Sequence, residues 1–243
     1  MIYVCIPSHD EAQTVGLLLW KVRKVFAEFG REYQFLVADD GSTDETSARL
    51  APYAKVLPLT VVRNPVRQGV GASVERLLRL ALERTDRPKR DCAVIMHADF
   101  THGPEFIPDM VKRIDSGADL VVGEARLQGE PSRAYRMLRR WAPVLVRPAV
   151  PQIGDMVSGF LAVRLATLEL ALPKTGGLMS ADGWAANAEL LARMAAHARR
   201  IETIPVVERH DLRQRPSRVD VWSEARALWA SRRTIRQAAR SAP

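Results

Sequence analysis

Short apolar segments alternate with amphipathic stretches along the first half of the chain, and this alternation limits the fold more than any other feature. The amphipathic stretches carry apolar residues at helical spacing, as in the helix predicted from about Ala12 to Phe29. Such alternation is typical of a parallel sheet whose crossover connections are helices. We therefore predict an α/β fold with a mainly parallel central sheet. The predicted strands are Ile2 to Ile6, Tyr33 to Ala38, Leu57 to Val62, Cys92 to Met96 and Asp119 to Gly123.

The second half of the chain is less regular. Pro143, Pro148 and Pro151 predict a loop-rich stretch, because proline breaks helices. Pro205 predicts that its strand lies at a sheet edge or ends there. The predicted elements are helices from Arg133 to Trp141, Trp184 to Ala198 and Asp220 to Ala239, and strands from Val157 to Val163 and Ile201 to Val207.

The composition is that of a globular protein, with 47% apolar and 26% charged residues in a chain of 243. No segment approaches the roughly 18 to 20 uninterrupted apolar residues of a membrane span. The N-terminus has neither the basic region nor the cleavage site of a signal peptide. Cys5 and Cys92 lie in apolar runs, which predicts buried free thiols in a reducing compartment. We expect a cytoplasmic protein, with a position at the inner face of a membrane left open.

The chain has a formal net charge of +8, and arginine accumulates from Arg126 onward. Such a charge favours nucleic acid, anionic lipid or phosphorylated substrates as partners. The sequence contains no base-reading motif, zinc-ligand spacing or interleaved basic and aromatic patch. We therefore expect a phosphorylated partner and no nucleic acid.

Polar residues follow four successive predicted strands. They form the segments 7–11, 39–44, 68–71 and 97–102. Each segment also has a simpler explanation, since residues 40–44 suit a turn and helix cap and a glycine pair such as Gly69 and Gly71 often opens a helix without binding phosphate. Because ligands of open α/β sheets bind outside the carboxyl ends of the strands, the four segments together predict a polar binding crevice.

Several motifs resemble those of the family-2 inverting glycosyltransferases, and the dolichol-phosphate mannose synthase-like branch in particular. The first two are I-P-S-H-D-E at 6–11 and V-A-D-D-G-S-T-D at 37–44. Three more are R-Q-G-V-G-A at 67–72, M-H-A-D-F-T-H-G-P-E at 96–105 and D-M-V-S-G-F at 155–160. The resemblance covers residues 1–218. It implies a glycosyltransferase domain with the GT-A (Rossmann-like) fold, a three-layer sandwich.

The resemblance also implies roles for individual residues. Asp99 is expected to hold Mg²⁺ or Mn²⁺ and to take part in catalysis, with His97 and Thr101 as further ligands. His97 and Thr101 stand where relatives carry aspartate and glutamine, so the expected metal site has one negative charge fewer and one shorter ligand than in those relatives. The nucleotide-sugar is expected to contact Pro7, His9, Glu11, Asp39, Asp40, Gly69, Gly71, His97, Ala98 and Asp99. Phosphate on the donor or the acceptor is expected to contact Arg126, Arg133, Arg213, Arg215 and Arg218.

The acceptor decides which residues are needed for catalysis. For a polyprenyl phosphate acceptor of the dolichyl or undecaprenyl type, which the arginine-rich second half favours, no strong base is required. For a soluble hydroxyl acceptor a base is required, and Asp155 is the candidate. A third hypothesis, motivated by His97 and Thr101, is a nucleotide-sugar-binding protein with weak or no transferase activity. A GDP-, UDP- or dTDP-sugar would serve as the donor in each case.

Two further segments have an interpretation of their own. Arg139, Arg140 and Trp141 superficially resemble the motif of processive family members, and we interpret them as a helix end whose Trp141 packs inward. The segment 219–243 predicts an amphipathic basic helix in which Trp222 and Trp229 share a face. This helix either docks its tryptophans on the catalytic domain, the interpretation we favour, or rests on an anionic membrane.

Overall fold

The computed structural model describes residues 1–129, 132–146, 150, 152–173, 177–209 and 220–240. In these ranges the strands are β1 (Ile2–Ser8), β2 (Tyr33–Asp40), β3 (Leu59–Asn64), β4 (Cys92–Ile95), β5 (Leu120–Gln128), β6 (Leu161–Arg164) and β7 (Ile201–Arg209). The α-helices are α1 (Val15–Phe29), α2 (Thr46–Ala54), α3 (Val70–Arg84), α4 (Ile107–Asp115), α5 (Arg133–Val146), α6 (Leu165–Ala171), α7 (Gly183–His197) and α8 (Val221–Ala238).

The seven strands form one sheet in the order β3-β2-β1-β4-β6-β5-β7. Only β6 runs antiparallel to its neighbours among the described strands, so the predicted mainly parallel sheet is confirmed. The strand β7, which contains Pro205, lies at the sheet edge as predicted. Ser8 pairs with Asp39 at the carboxyl ends of β1 and β2, so the loops that follow these strands lie side by side.

Helices cover both faces of the sheet, which gives the three layers expected. Alternate residues of β1 point into two separate cores: Tyr3 and Cys5 face one, and Ile2 and Val4 face the other. The first core contains residues of α3, α5, α6, α7 and α8, and the second contains residues of α1, α2 and α4. Cys5 and Cys92 are buried free thiols, as predicted.

Several predicted elements have different bounds in the structure. The helix α5 continues through position 143 to Val146, so the prediction of a loop from Pro143 is wrong. The buried face of this helix, which includes Tyr135 and Leu138, stabilises it despite the hydrogen bond that proline removes. The strand β6 begins four residues later than predicted, because Gly159 has a φ of +70° that a strand cannot accommodate. The helix α6 was not predicted, and Pro148 and Pro151 lie outside the described residues.

The C-terminal helix α8 packs on the domain, but not through its tryptophans. Its buried residues are Leu228, Ile235 and Ala238, which join the core beside α5 and α7. Trp222 and Trp229 are 70% and 56% exposed, so the expected docking of the tryptophans is wrong. The expectation that Trp141 packs inward is wrong as well, because its side chain is 58% exposed. None of the helices in the described ranges is long and apolar enough to cross a membrane.

Candidate functional site

A cavity of about 380 Å³ opens at the carboxyl ends of the parallel strands. The loops after β1 and β2 form one end of it, and the segment after β4 lies next to them in the sheet order. Glu208 of β7 and Arg139 of α5, which is bonded to it, form the far end, toward the opposite edge of the sheet. Residues of α7 and α8 complete the lining. Of the residues predicted to bind the nucleotide-sugar or metal, those that line the cavity are Pro7, His9, Glu11, Asp40, His97, Ala98, Asp99 and Thr101.

The loops after β1 and β2 are joined by hydrogen bonds between side chains and backbone. His9 Nδ1 donates to the carbonyl oxygen of Asp40 at 2.8 Å, and the backbone N–H of Glu11 donates to Thr46 Oγ1 at 2.8 Å. Asp10 has a φ of +51°, a conformation that aspartate tolerates better than most residues. Its carboxylate accepts the backbone N–H of Thr43 at 2.7 Å. This end of the cavity is therefore fixed by bonds that span only two short segments.

The two aspartates at the end of β2 have different surroundings. Asp40 accepts hydrogen bonds from Asn64 Nδ2 at 2.8 Å and from the backbone N–H groups of Gln68 and Gly69 at 2.9 and 2.8 Å. Its carboxylate thus holds the loop between β3 and α3, which includes Gly69, in place beside the cavity. Asp39 is fully buried, accepts the backbone N–H of Ser42 and the hydroxyl of Ser47, and lies outside the cavity lining. A direct contact of Asp39 with the nucleotide-sugar stays a prediction.

The N-terminus of α3, where Gly69 and Gly71 were expected to bind phosphate, is occupied by a carboxylate of the chain itself. The backbone N–H of Gly71 donates to Asp182 Oδ1 at 3.1 Å. A Cβ at Gly69 would lie 2.5 Å from Asp182 Oδ2, and Gly69 has a φ of +101°, so only glycine fits there. Both glycines lie outside the cavity lining, whereas Asp182 belongs to it. In this arrangement the positive end of the helix dipole stabilises Asp182.

The segment after β4 turns sharply into the cavity. Phe100 has a φ of +60°, and both the backbone N–H and the hydroxyl of Thr101 donate to Asp99 Oδ1. His97 lies against Gly159, where a Cβ would be 2.9 Å from its Nε2. Among the residues that the structure describes, no three His, Cys, Asp or Glu side chains converge as a complete metal site. A carboxylate with a neighbouring imidazole on the wall fits a cation that takes its remaining ligands from a diphosphate.

His102 lies deeper in the same wall. Its ring stacks on Phe160 with the centroids 5.0 Å apart, and it is 1% exposed. Neither ring nitrogen has a hydrogen-bond partner among the described residues. Burial lowers the pKa of His102 to about 4, although the charge of Glu208 opposes this shift, so the ring is neutral at pH 7.

The far end of the cavity is built around one arginine that the sequence interpretation set aside. Arg139 donates to both carboxylate oxygens of Asp155 at 2.8 Å and to Glu208 Oε2 at 2.6 Å. The hydroxyl of Tyr135 donates to Glu208 Oε1 at 2.5 Å, and the guanidinium lies 5.5 Å from the ring centre of Trp184. Although burial opposes the charged form, Asp155 and Glu208 together raise the pKa of Arg139. The arginine therefore stays protonated between two carboxylates.

Asp155 is fully engaged by these contacts. Besides Arg139, its oxygens accept the backbone N–H groups of Ala125, Val157 and Ser158, each at 3.1 Å. The residue lies outside the main cavity and faces a second, more open depression of about 420 Å³. To act as the predicted base, Asp155 would first have to release Arg139, so the structure gives this role little support.

The predicted phosphate-binding arginines are not brought together by the described part of the chain. Arg126 is exposed and borders the second depression beside Asp155. Arg133 is exposed at the start of α5 and borders neither cavity. Arg213, Arg215 and Arg218 lie outside the described residues, so their positions stay predictions.

Several cavity residues were missed from the sequence, among them Tyr135, Arg139, Asp182, Trp184 and Glu208. One signal was available: Tyr135, Leu138 and Ala142 form the buried face of α5, and Arg139 follows Leu138 on that side. An arginine on the apolar face of a helix is expected to pair with an acidic residue, because an unpaired buried charge is costly. The identity of that partner was not available, because Glu208 is 69 residues away.

Comparisons with known proteins agree with this architecture. The sequence model described as Glycosyl transferase family 2 matches residues 3–172. A dolichol-phosphate mannosyltransferase of Pyrococcus furiosus is 30% identical over 175 residues, which cover 69% of this chain and 47% of that protein. An undecaprenyl-phosphate 4-deoxy-4-formamido-L-arabinose transferase of Pseudomonas aeruginosa is 29% identical over 150 residues, 62% of this chain and 41% of its own. The chain thus spans less than half the length of these relatives.

Solved structures confirm the fold. The glucosyl-3-phosphoglycerate synthase of Mycobacterium tuberculosis, in complex with Mn²⁺, uridine-diphosphate-glucose and phosphoglyceric acid, aligns with a TM-score of 0.65. The alignment covers 100% of this chain and 80% of the synthase at 20% sequence identity. At this identity the likeness concerns the fold, and the predicted GT-A architecture is confirmed.

Proposed function

We propose that this chain, which belongs to glycosyl transferase family 2, transfers a sugar from a nucleotide-diphospho-sugar to an acceptor phosphate with inversion. The observation that carries the proposal is the order of polar groups along the sheet. Interlocked loops at β1 and β2 offer a nucleoside site, Asp99 follows the neighbouring β4, and Arg139 and Glu208 close the far end. A nucleoside, a diphosphate and a sugar have the same linear order in a donor molecule.

The metal site is a proposal of the same kind. Asp99, with His97 beside it on the cavity wall, would hold Mg²⁺ or Mn²⁺. When bound, the cation neutralises the charge that builds on the leaving diphosphate. The Mn²⁺ in the complex of the mycobacterial synthase belongs to that protein and supports the proposal only by analogy.

An acceptor phosphate suits this site better than an acceptor hydroxyl. A phosphate oxygen is already ionised at neutral pH, so the transfer depends on positioning and charge neutralisation rather than on a base. The only base candidate from the sequence, Asp155, accepts five hydrogen bonds in the described structure. The curated relatives are named for dolichol phosphate and undecaprenyl phosphate, which leads us to propose a polyprenyl phosphate as the acceptor.

A polyprenyl phosphate resides in a membrane, and the outer face of α8 offers a contact with it. Trp222 and Trp229 are exposed there, together with Arg226 and Arg233, and Trp141 is exposed on the neighbouring α5. Arg232 lies 3.9 Å from the ring centre of Trp229. Exposed tryptophans among arginines match the interface of an anionic bilayer, so we propose peripheral contact at the cytoplasmic face.

Vesicle flotation tests this contact. With vesicles of one quarter phosphatidylserine, replacing both Trp222 and Trp229 by serine should abolish binding, while replacing the exposed Leu170 of α6 by serine should not. Equal binding by both variants would contradict a role for this face.

Sugar transfer is tested with radiolabelled GDP-mannose, UDP-glucose and dTDP-glucose, each with undecaprenyl phosphate in detergent or with 3-phosphoglycerate. We expect the label of one donor to appear in the lipid fraction. This transfer should be lost when Mn²⁺ and Mg²⁺ are removed, and it should be lost in Asp99→Asn. Label in phosphoglycerate alone would favour the soluble hydroxyl acceptor. Donor binding by calorimetry without transfer to either acceptor would favour a nucleotide-sugar-binding protein.

A further inference from the structure

Three buried side chains of the described structure have polar groups with no hydrogen-bond partner at all: Ser8, Ser73 and His102. All three line the same cavity. Buried polar groups are almost always paired in folded proteins, because an unpaired group has lost its bonds to water without replacement. Their concentration in one cavity is typical of a site in which a ligand or solvent supplies the missing partners.

Their positions divide them between the two ends of the cavity. Ser8 ends β1 and Ser73 lies in the first turn of α3, both on the side of the proposed nucleoside site. His102 lies beyond Asp99 and forms an isolated β-bridge with Glu208 at the end of β7. A donor that places its diphosphate at Asp99 would therefore present its sugar to His102.

The chemistry of His102 favours a sugar hydroxyl over a phosphate oxygen. The two ring nitrogens of His102 have no partner in the described structure and between them can donate and accept, as a sugar hydroxyl can. Phosphate oxygens only accept, and the carboxylate of Glu208 beside His102 would repel them. Trp184 and Tyr135 pack edge to face beside Arg139, which adds apolar surface of the kind that sugar rings contact.

We propose that His102 is a sugar-binding residue that contacts a hydroxyl group of the donor's transferred sugar and contributes to the choice of that sugar. This inference rests on the proposed function, because it assumes a nucleotide-sugar in the cavity. Both ring nitrogens are covered by surrounding side chains, so the contact needs a small local shift when the ligand enters. The stacking on Phe160 keeps the ring in place while its edge becomes available.

Calorimetry with a matched pair of ligands tests the assignment. The ligands are the nucleotide-sugar that binds best among GDP-mannose, UDP-glucose and dTDP-glucose, and its nucleoside diphosphate, both with Mn²⁺. His102→Phe keeps an aromatic ring against Phe160 and removes both nitrogens. It should weaken binding of the nucleotide-sugar about tenfold and leave the nucleoside diphosphate unchanged, as expected for one lost hydrogen bond. His102→Gln should recover part of the loss.

Ser73→Ala is the matched control, since it removes an unpartnered group from the other end of the cavity. The ratio of the two affinities should stay constant in this variant. The assignment would be overturned if His102→Phe weakened both ligands equally or lowered the affinity for Mn²⁺. It would also be overturned if Ser73→Ala changed the ratio of the nucleotide-sugar and nucleoside diphosphate affinities as much as His102→Phe does.

The proposed function itself fails if the wild-type protein binds none of the nucleotide-sugars. If the wild-type protein binds one of them and His102→Phe binds it equally well, only the role of His102 is refuted.

Discussion

The two ends of the cavity are held together in different ways. At the β1 and β2 end, several hydrogen bonds join neighbouring loops, as between His9 and Asp40 or between Glu11 and Thr46. At the far end, a buried cation, Arg139, joins α5 to the loop before β6 and, together with the hydroxyl of Tyr135, to the end of β7. The first arrangement distributes its stability over several contacts, whereas the second places both of its buried ion pairs on one side chain.

If the far end depends on one cation, Arg139→Met should have the largest effect of any single substitution in the cavity. It leaves the buried carboxylates of Asp155 and Glu208 without a cation, and breaking a buried ion pair in this way costs about 3 to 5 kcal/mol. Urea denaturation monitored by circular dichroism measures the free energy of unfolding. Sugar transfer should also be lost, because the wall of the cavity is no longer held.

Arg31→Met is the control for this prediction. Arg31 also pairs with a carboxylate, that of Asp115, but both side chains are about 40% exposed. Exposed pairs contribute about 0 to 1 kcal/mol, so this variant should be close to wild type. Similar losses in the two variants would show that the burial of Arg139 does not set its importance.

The same contrast explains which parts of the molecule could be predicted from the sequence. The β1 and β2 end was predicted well, because strands, turns and the polar residues that follow them lie within short segments such as 7–11 and 39–44. Local periodicity and turn preferences determine such segments. Even there, the exclusion of Asp39 from the cavity was not predictable, since it depends on Ser42 and Ser47 closing over its carboxylate.

The far end could not be predicted because its contacts join residues distant in the chain. Tyr135 and Glu208 are separated by 73 positions, and Arg139 and Glu208 by 69. Neither pairing leaves a periodic signal in the sequence. The face of α8 was misassigned for a related reason: its tryptophans and its small apolar residues both form stripes, and only the packing against α5 and α7 determines which stripe is buried.

Asp40→Asn probes the end of the cavity that distributes its stability. An asparagine side chain retains one acceptor for Asn64 and Gln68, but it turns an amide group toward the backbone N–H of Gly69. One unmet buried donor costs about 1 to 3 kcal/mol, less than the loss expected for Arg139→Met, since the other loop contacts remain. Denaturation gives the stability, and calorimetry should show weaker binding of the nucleoside diphosphate.

Asp44→Asn is the comparison for Asp40→Asn, because Asp44 also accepts backbone N–H groups in these loops but is exposed. Its effect should be below about 1 kcal/mol. A loss in Asp40→Asn as large as that in Arg139→Met would mean that the β1 and β2 end also depends on one side chain. The contrast between the two ends would then disappear.

The smallest effect is expected where α8 meets the far end, at Glu224. Its carboxylate accepts the backbone N–H of Trp184 at 2.9 Å, and burial, together with the charges of Asp182 and Asp220, raises the pKa of Glu224. Because the folded-state pKa is higher than that of the unfolded chain, Glu224 stabilises the fold most below the unfolded pKa, and this contribution is lost as the pH rises through the folded pKa. Glu224→Gln keeps the acceptor oxygen and removes the charge. It should therefore be more stable than wild type at pH 7.5, by less than about 1 kcal/mol, and equal to it near pH 4.

Denaturation at the two pH values measures the difference in the free energy of unfolding, and Glu45→Gln, at an exposed position, is the control. A variant less stable than wild type at pH 7.5 would show that the N-terminus of α7 favours the ionised carboxylate more than burial opposes it. The joint between α8 and the cavity would then be a second charge-dependent contact of the far end, beside Arg139.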